Sequence, residues 1–212
     1  MVNHSKPMTG PSEIKEVSRV LRTGKHATKE TVRKFEERMS SFIGMAGGVA
    51  VNSGTSALHI ALLSLGIGEN DEVIIPSFVC TAVLNAVNFT GAKARLADID
   101  DETLNIDYRS ASGRMTKKTK AVIIPHMFGL PADVKPFLKL GAPVIEDCAQ
   151  SLGAGIGGGR AGSLGHVSIF SFYATKLIST GYGGMLLSDS AVILEKARDL
   201  LDFDNRSDYK IA

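Results

Sequence analysis

Little in this sequence invites a membrane, a metal or a nucleic acid. No run approaches the ~20 apolar residues that a bilayer-spanning helix needs. The opening residues, Met1-Val2-Asn3-His4-Ser5-Lys6, hold no apolar stretch of the kind that leads a secretory signal, so a cytoplasmic protein is expected. Only two cysteines occur, Cys80 and Cys148, and neither stands in a Cys-x-x-Cys pair or beside a histidine, which speaks against a structural metal. Both lie in apolar segments, where small buried thiols are expected rather than a disulfide. A net charge of +2, with basic residues scattered and densest at Lys117-Lys118, leaves no patch for nucleic acid or anionic lipid. Asp98, Asp100 and Asp101 crowd together without a histidine, and a solvated acidic loop explains them better than a cation does. There is no internal repeat, and Gly153–Gly165 is the single biased segment.

What is present is an alternation. At 212 residues the chain suits one good-sized core rather than two domains. Ile14, Val17, Val20 and Leu21 have the spacing of an amphipathic helix after Pro11-Ser12, and Val32, Phe35, Met39 and Phe42 mark a second over 31–42. Seven short apolar strands are then expected at 49–52, 72–76, 93–97, 121–125, 143–147, 167–170 and 184–187. Between them, helices are expected at 55–65, 80–89, 134–140 and 191–201. Strands alternating with helices imply an α/β fold, a mainly parallel seven-stranded sheet with helices on both faces in a three-layer α/β/α sandwich.

Three features carry chemistry. Asn52-Ser53-Gly54-Thr55-Ser56 follows the first strand and opens a helix, where free N–H groups and the helix dipole favour an anion. Gly54 permits close approach, and the Thr55 and Ser56 hydroxyls can add hydrogen bonds. The same residues also serve as an ordinary helix cap. No Gly-Lys-Ser/Thr follows, so this is not a Walker loop. The second feature is Glu146-Asp147-Cys148-Ala149-Gln150, a strand end bearing carboxylates where open α/β sheets bind ligands. The third is Ser171 to Lys176, leading from an apolar strand to a lysine that, partly desolvated, can form a Schiff base, though a plain surface lysine fits the local sequence too. Gly153-Ala154-Gly155-Ile156-Gly157-Gly158 matches GxGxxG but does not sit between a strand and a helix, so a flexible loop is expected there. His126 ends an apolar strand at the same sheet edge, where a hydrogen-bonded structural role outweighs contact with substrate. An anion cradle, a carboxylate and a lysine in this order suit pyridoxal 5'-phosphate, which needs one of each.

With these residues identified, the chain resembles the DegT/DnrJ/EryC1/StrS family of sugar aminotransferases, a branch of the fold type I pyridoxal phosphate enzymes. The likeness runs through Lys34-Phe35-Glu36, Asn52 to Leu58, Gly68 to Ser77, His126-Met127-Phe128-Gly129, Glu146 to Gln150, Phe170-Ser171-Phe172, Lys176 and Gly181 to Gly184. It implies Lys176 as the lysine bonded to the cofactor, Asp147 as the partner of the pyridinium nitrogen, and Gln150 beside the phenolic oxygen. Thr55, Ser56 and Ser171 would hold the phosphate. The implied reaction moves an amino group from L-glutamate to a nucleotide-linked keto sugar, in polysaccharide, lipopolysaccharide or amino-sugar biosynthesis, by a homodimer. Lys176 argues against the related dehydratases, which carry histidine there. Cys80 stands where many relatives stack an aromatic residue on the cofactor ring. Relatives also continue into a small C-terminal domain absent here. The resemblance thus divides the chain into an arm and first helix (1–30), a cofactor-binding large domain (31–190) and the start of a connection (191–212). A catalytically incompetent regulatory or assembly protein, or a fragment of the enzyme, is the competing expectation.

Overall fold

A computed structural model describes residues 5–7, 9–24 and 30–202. Helices α1 (Pro11–Arg22) and α2 (Glu30–Ile43) precede strand β1 (Gly47–Val51), α3 (Gly54–Ser64) and β2 (Glu72–Pro76). Then come α4 (Thr81–Phe89), β3 (Lys93–Ala97), α5 (Tyr108–Gly113), β4 (Thr119–Pro125) and β5 (Val144–Asp147). A two-stranded hairpin, β6 (Gly155–Ile156) and β7 (Gly159–Arg160), leads to β8 (Val167–Ser171), β9 (Gly184–Ser188) and α6 (Ala191–Leu201). The seven expected strands are all found, in one sheet ordered β1-β9-β8-β5-β4-β2-β3. Only β9 runs against its two neighbours, β1 and β8. Among the described residues no helix is long and apolar enough to cross a membrane.

Period-two alternation divides the sheet into two apolar faces. Val73, Ile75, Ile123, Ile145 and Ile169 pack with residues of α3, α4 and α6. Ile74, Val122, Ile124 and Val144 face the opposite way, toward Ala111 of α5 and the segment holding Val134 and Phe137. Phe170, Phe172, Met185 and Leu187 extend that second face beneath Met39 and Ile43 of α2. Phe170 and Phe172 are each 1% exposed. Removing a ring of that size from water is worth roughly 1.5–3 kcal/mol. The open side of β1 is blunted by side chains, since Glu36 accepts from the Ala50 N–H at 2.8 Å and Arg198 donates to the Gly48 carbonyl at 3.0 Å.

Some expectations fail for identifiable reasons. The expected helix over 134–140 is a single 3-10 turn, Phe137–Lys139, because Pro136 supplies no N–H and disfavours helical geometry in the residue before it. The glycine-rich segment expected as a flexible loop contains the β6–β7 hairpin, turned by Gly157 and Gly158, both at positive φ. Helix α5 was not anticipated; its start is set by Asp107, whose carboxylate accepts from the Ser110 N–H at 2.6 Å. Helix α6 is found where a helix was expected, over 191–201, and buries Leu194 and Ala197 in the same core as α3. Helix α1 buries none of its residues.

Candidate active site

The C-terminal ends of the parallel strands open onto one cavity of about 300 Å³. Alternation along β5 decides which carboxylate enters it. Ile145 lies on the α3 face, so Asp147 reaches the cavity on that side while Glu146 turns to the other. Strand register carries the rest, with Asp147 beside Pro125 of β4 and Ile169 of β8, and Ser171 opposite Gly184 of β9. A Cβ on Gly184 would strike the Ser53 carbonyl, and one on Gly54 would sit 2.9 Å from Ser171 Cβ. Two glycines therefore let the start of α3 settle across the ends of β8 and β9.

That helix start is capped and still open. Ser53 Oγ accepts from the Ser56 N–H at 3.0 Å, and the Ser53 carbonyl accepts from Ala57 N. The N–H groups of Gly54 and Thr55 have no acceptor among the described residues, and both residues line the cavity. The capping and anion-binding readings of this stretch are thus compatible, each using different N–H groups. Ser56 does not line the cavity; its hydroxyl lies 2.9 Å from Ser53 Oγ. Every other expected residue lines it, namely Gly54, Thr55, Cys80, Asp147, Gln150, Ser171 and Lys176.

Burial pushes the Asp147 carboxyl above its usual pKa, against the Ala149 N–H that it accepts at 3.0 Å and the nearby positive charge of Lys176. An enclosed carboxylate with one backbone donor and no ion-pair partner among the described residues is suited to receive a cationic group from a ligand. Gln150 is fixed by the Phe128 N–H, which donates to its Oε1 at 3.2 Å. Lys176 follows a turn closed by its own N–H to the Tyr173 carbonyl. Tyr173, Tyr182 and Gly183 add to the lining. These were missed, although Tyr173, two residues beyond Ser171 on the extension of β8, shares its side of the strand. The expectation of two buried thiols holds for Cys148 only, since Cys80 is exposed at the cavity wall as the N-cap residue of α4.

On the other face, Glu146 is fully buried and heavily bonded. It accepts from the N–H groups of Gly162 (2.9 Å), Leu164 (2.8 Å) and Gly165 (2.5 Å) and from His126 Nε2 (2.9 Å). Burial opposes its charge, but His126 and the Gly165 and Gly162 N–H groups outweigh it and hold the carboxyl below its usual pKa. His126 Nδ1 accepts from the Ala132 N–H at 3.0 Å, which puts the ring proton on Nε2. His126 also lines the cavity, so its hydrogen-bonded role and its place at the site go together. His126, Glu146 and Cys148 bring potential ligand atoms within 4.8 Å of one another. The first two are already committed to hydrogen bonds, and burial holds the Cys148 thiol protonated. In the acidic loop Asp100 accepts from the Thr103 N–H and hydroxyl, and Asp98 accepts from the Ser77 hydroxyl at 3.4 Å.

Comparison with known proteins places the chain among sugar aminotransferases. The spore coat polysaccharide biosynthesis protein SpsC of Bacillus subtilis is 39% identical over 201 residues, covering 93% of this chain and 52% of the relative. GDP-perosamine synthase of Caulobacter vibrioides is 38% identical over 169 residues, covering 78% of this chain and 46% of its own. Spr1654 of Streptococcus pneumoniae, solved in a PLP form, superposes with a TM-score of 0.89 at 27% identity, covering 94% of this chain and 57% of that one. The chain spans about half the length of these relatives. The profile of one family matches residues 7–210, and the chain belongs to that family, the DegT/DnrJ/EryC1/StrS aminotransferases.

Proposed function

We propose that this chain is the cofactor-binding part of a pyridoxal phosphate-dependent sugar aminotransferase, working in the cytoplasm and moving an amino group from L-glutamate to a nucleotide-linked keto sugar. The observation that carries the proposal is the meeting of Asp147, Lys176 and the open start of α3 on one cavity. When bound, pyridoxal phosphate supplies an electron-accepting ring that eases loss of a proton from the carbon bearing the amino group.

The chain's own residues have separable tasks. The Gly54 and Thr55 N–H groups and the Ser171 hydroxyl bind the phosphate. Asp147, whose charge burial disfavours, is stabilised by a protonated ring nitrogen and in turn keeps that nitrogen protonated. Gln150, steadied by Phe128, orients the ring from its oxygen side. Lys176 Nζ would hold the cofactor covalently through its aldehyde, and its free amine would be the base that moves the proton. Leu58, Val83 and Ile169 keep water from that transfer. Cys80 gives the ring a thiol to rest on instead of an aromatic face, with less stacking area. The names of the relatives, one a GDP-perosamine synthase and one a polysaccharide biosynthesis protein, support the nucleotide-sugar substrate. Tyr173, Leu177 and Tyr182, exposed beside the cavity, support a second copy of the chain as the partner that covers its mouth.

The deciding experiment is the half-reaction with glutamate. Purified protein with pyridoxal phosphate should absorb visible light, lose that band on addition of L-glutamate, and regain it with 2-oxoglutarate. Lys176→Ala should abolish the covalent band. A stable band indifferent to glutamate would favour a cofactor-binding protein without catalysis.

A further inference from the structure

The turn after β4 is pinned from several directions, yet it presents a large apolar ring to solvent. Asn105, 4% exposed, accepts from the Met127 N–H at 2.9 Å and donates to the Leu130 carbonyl at 3.1 Å. Gln150 accepts from the Phe128 N–H, and Glu146 holds His126 at the start of the turn. Between these anchors Phe128 adopts φ 53° and ψ 25° and is 67% exposed. A bulky side chain in the left-handed region is unfavourable and persists only where its surroundings over-determine it, as they do here. Its ring faces Phe78, itself 48% exposed, with centroids 6.5 Å apart and planes at 44°. Val79, Cys80, Met127 and Gln150 line the cavity, so the residues next to them, Phe78 and Phe128, stand on its rim.

We infer that Phe78 and Phe128 form a stacking platform for the base of the nucleotide-linked substrate. The inference rests on the sugar aminotransferase reading and extends it to a part of the substrate that the cavity does not hold. At about 300 Å³ the cavity is at the lower limit of small-molecule sites, and cofactor plus sugar fill it. The nucleotide must then lie outside, and the two rings stand beside Val79, Met127 and Gln150 of the cavity wall. Exposed aromatic faces are the groups that attract a base, whatever its identity, because every base has a π-face. A turn fixed before binding loses little freedom when the ligand arrives, which accounts for its anchoring. A second copy of the chain seated on the rings is the competing occupant.

The test uses the full chain loaded with pyridoxal phosphate, with GDP and inorganic pyrophosphate as calorimetric probes. Wild type should bind GDP more tightly than pyrophosphate. Phe78→Ala and Phe128→Ala should each lower the ratio of the two affinities about tenfold, whereas Phe128→Tyr keeps it. Thermal melting of each variant confirms that it is folded. The inference is overturned if wild type does not prefer GDP, if the ratio survives both alanine changes, or if those changes convert a dimer to monomer in sedimentation while GDP binding stays intact. Because no amino donor is involved, the platform can stand even where the glutamate half-reaction fails, and the reverse also holds.

Discussion

Asp147 and Glu146 are adjacent, both buried, and displaced in opposite directions, which makes them a built-in contrast. Asp147 is raised mainly by desolvation. Its acid form is favoured on folding, and the stability this brings is lost as pH rises through its folded pKa, so at neutral pH the empty site carries a cost. Asp147→Asn should therefore raise the melting temperature of the cofactor-free chain at pH 7 to 8, and Asn can still accept from the Ala149 N–H. The same change should cut transamination by orders of magnitude, because an amide cannot keep the ring nitrogen protonated. Added pyridoxal phosphate should stabilise wild type more than the variant. Equal melting temperatures with and without cofactor in both proteins would remove Asp147 from its assigned role.

At the scale of elements, the decisive contact is α3 on the ends of β8 and β9. Gly54→Ala places a methyl group 2.9 Å from Ser171 Cβ, so the helix start must lift away from the phosphate position. A fall in pyridoxal phosphate affinity of roughly 10- to 100-fold is expected, with a smaller loss of stability, measured by equilibrium dialysis and melting. Ser53→Ala should do the reverse, costing about 1 kcal/mol through the lost cap with a milder effect on affinity. Much of this was legible in advance. Most strands of the large sheet are short apolar runs bounded by turn residues, and Ser53-Gly54-Thr55 reads as a helix start from chemistry alone. Other parts were hidden. Helix α5 has no apolar stripe and depends on one aspartate cap, and Pro136 defeats a stretch with otherwise helical spacing. Phe128 gives no sign in sequence of its left-handed backbone, which arises from Asn105 and Gln150, 23 and 22 residues away.

At the scale of the molecule, Glu146 ties the sheet to the 162–165 loop and, through His126, to the cavity wall. Its lowered pKa means that its stabilising share is complete above the unfolded carboxylate value and disappears as pH falls through the folded one. Glu146→Ala should destabilise the chain by at least about 1–3 kcal/mol, since the buried His126 Nε2–H and Gly162 N–H and the half-buried Leu164 and Gly165 N–H groups lose their acceptor. The gap from wild type should be full at neutral pH and shrink on acidification below the ordinary glutamate pKa of about 4.3, and a gap independent of pH would contradict the assignment. Strand β9 carries a different consequence. Among the described residues it is the sole sheet partner of β1, with Val51 set against Gly184, although 132 residues separate the two. As the chain leaves the ribosome, β1 waits unpaired until Gly184–Ser188 emerges, and the platform beneath Ser53 and Gly54 is missing until then. Nascent chains released before that point should retain no pyridoxal phosphate, which makes capture of the cofactor a late event in synthesis.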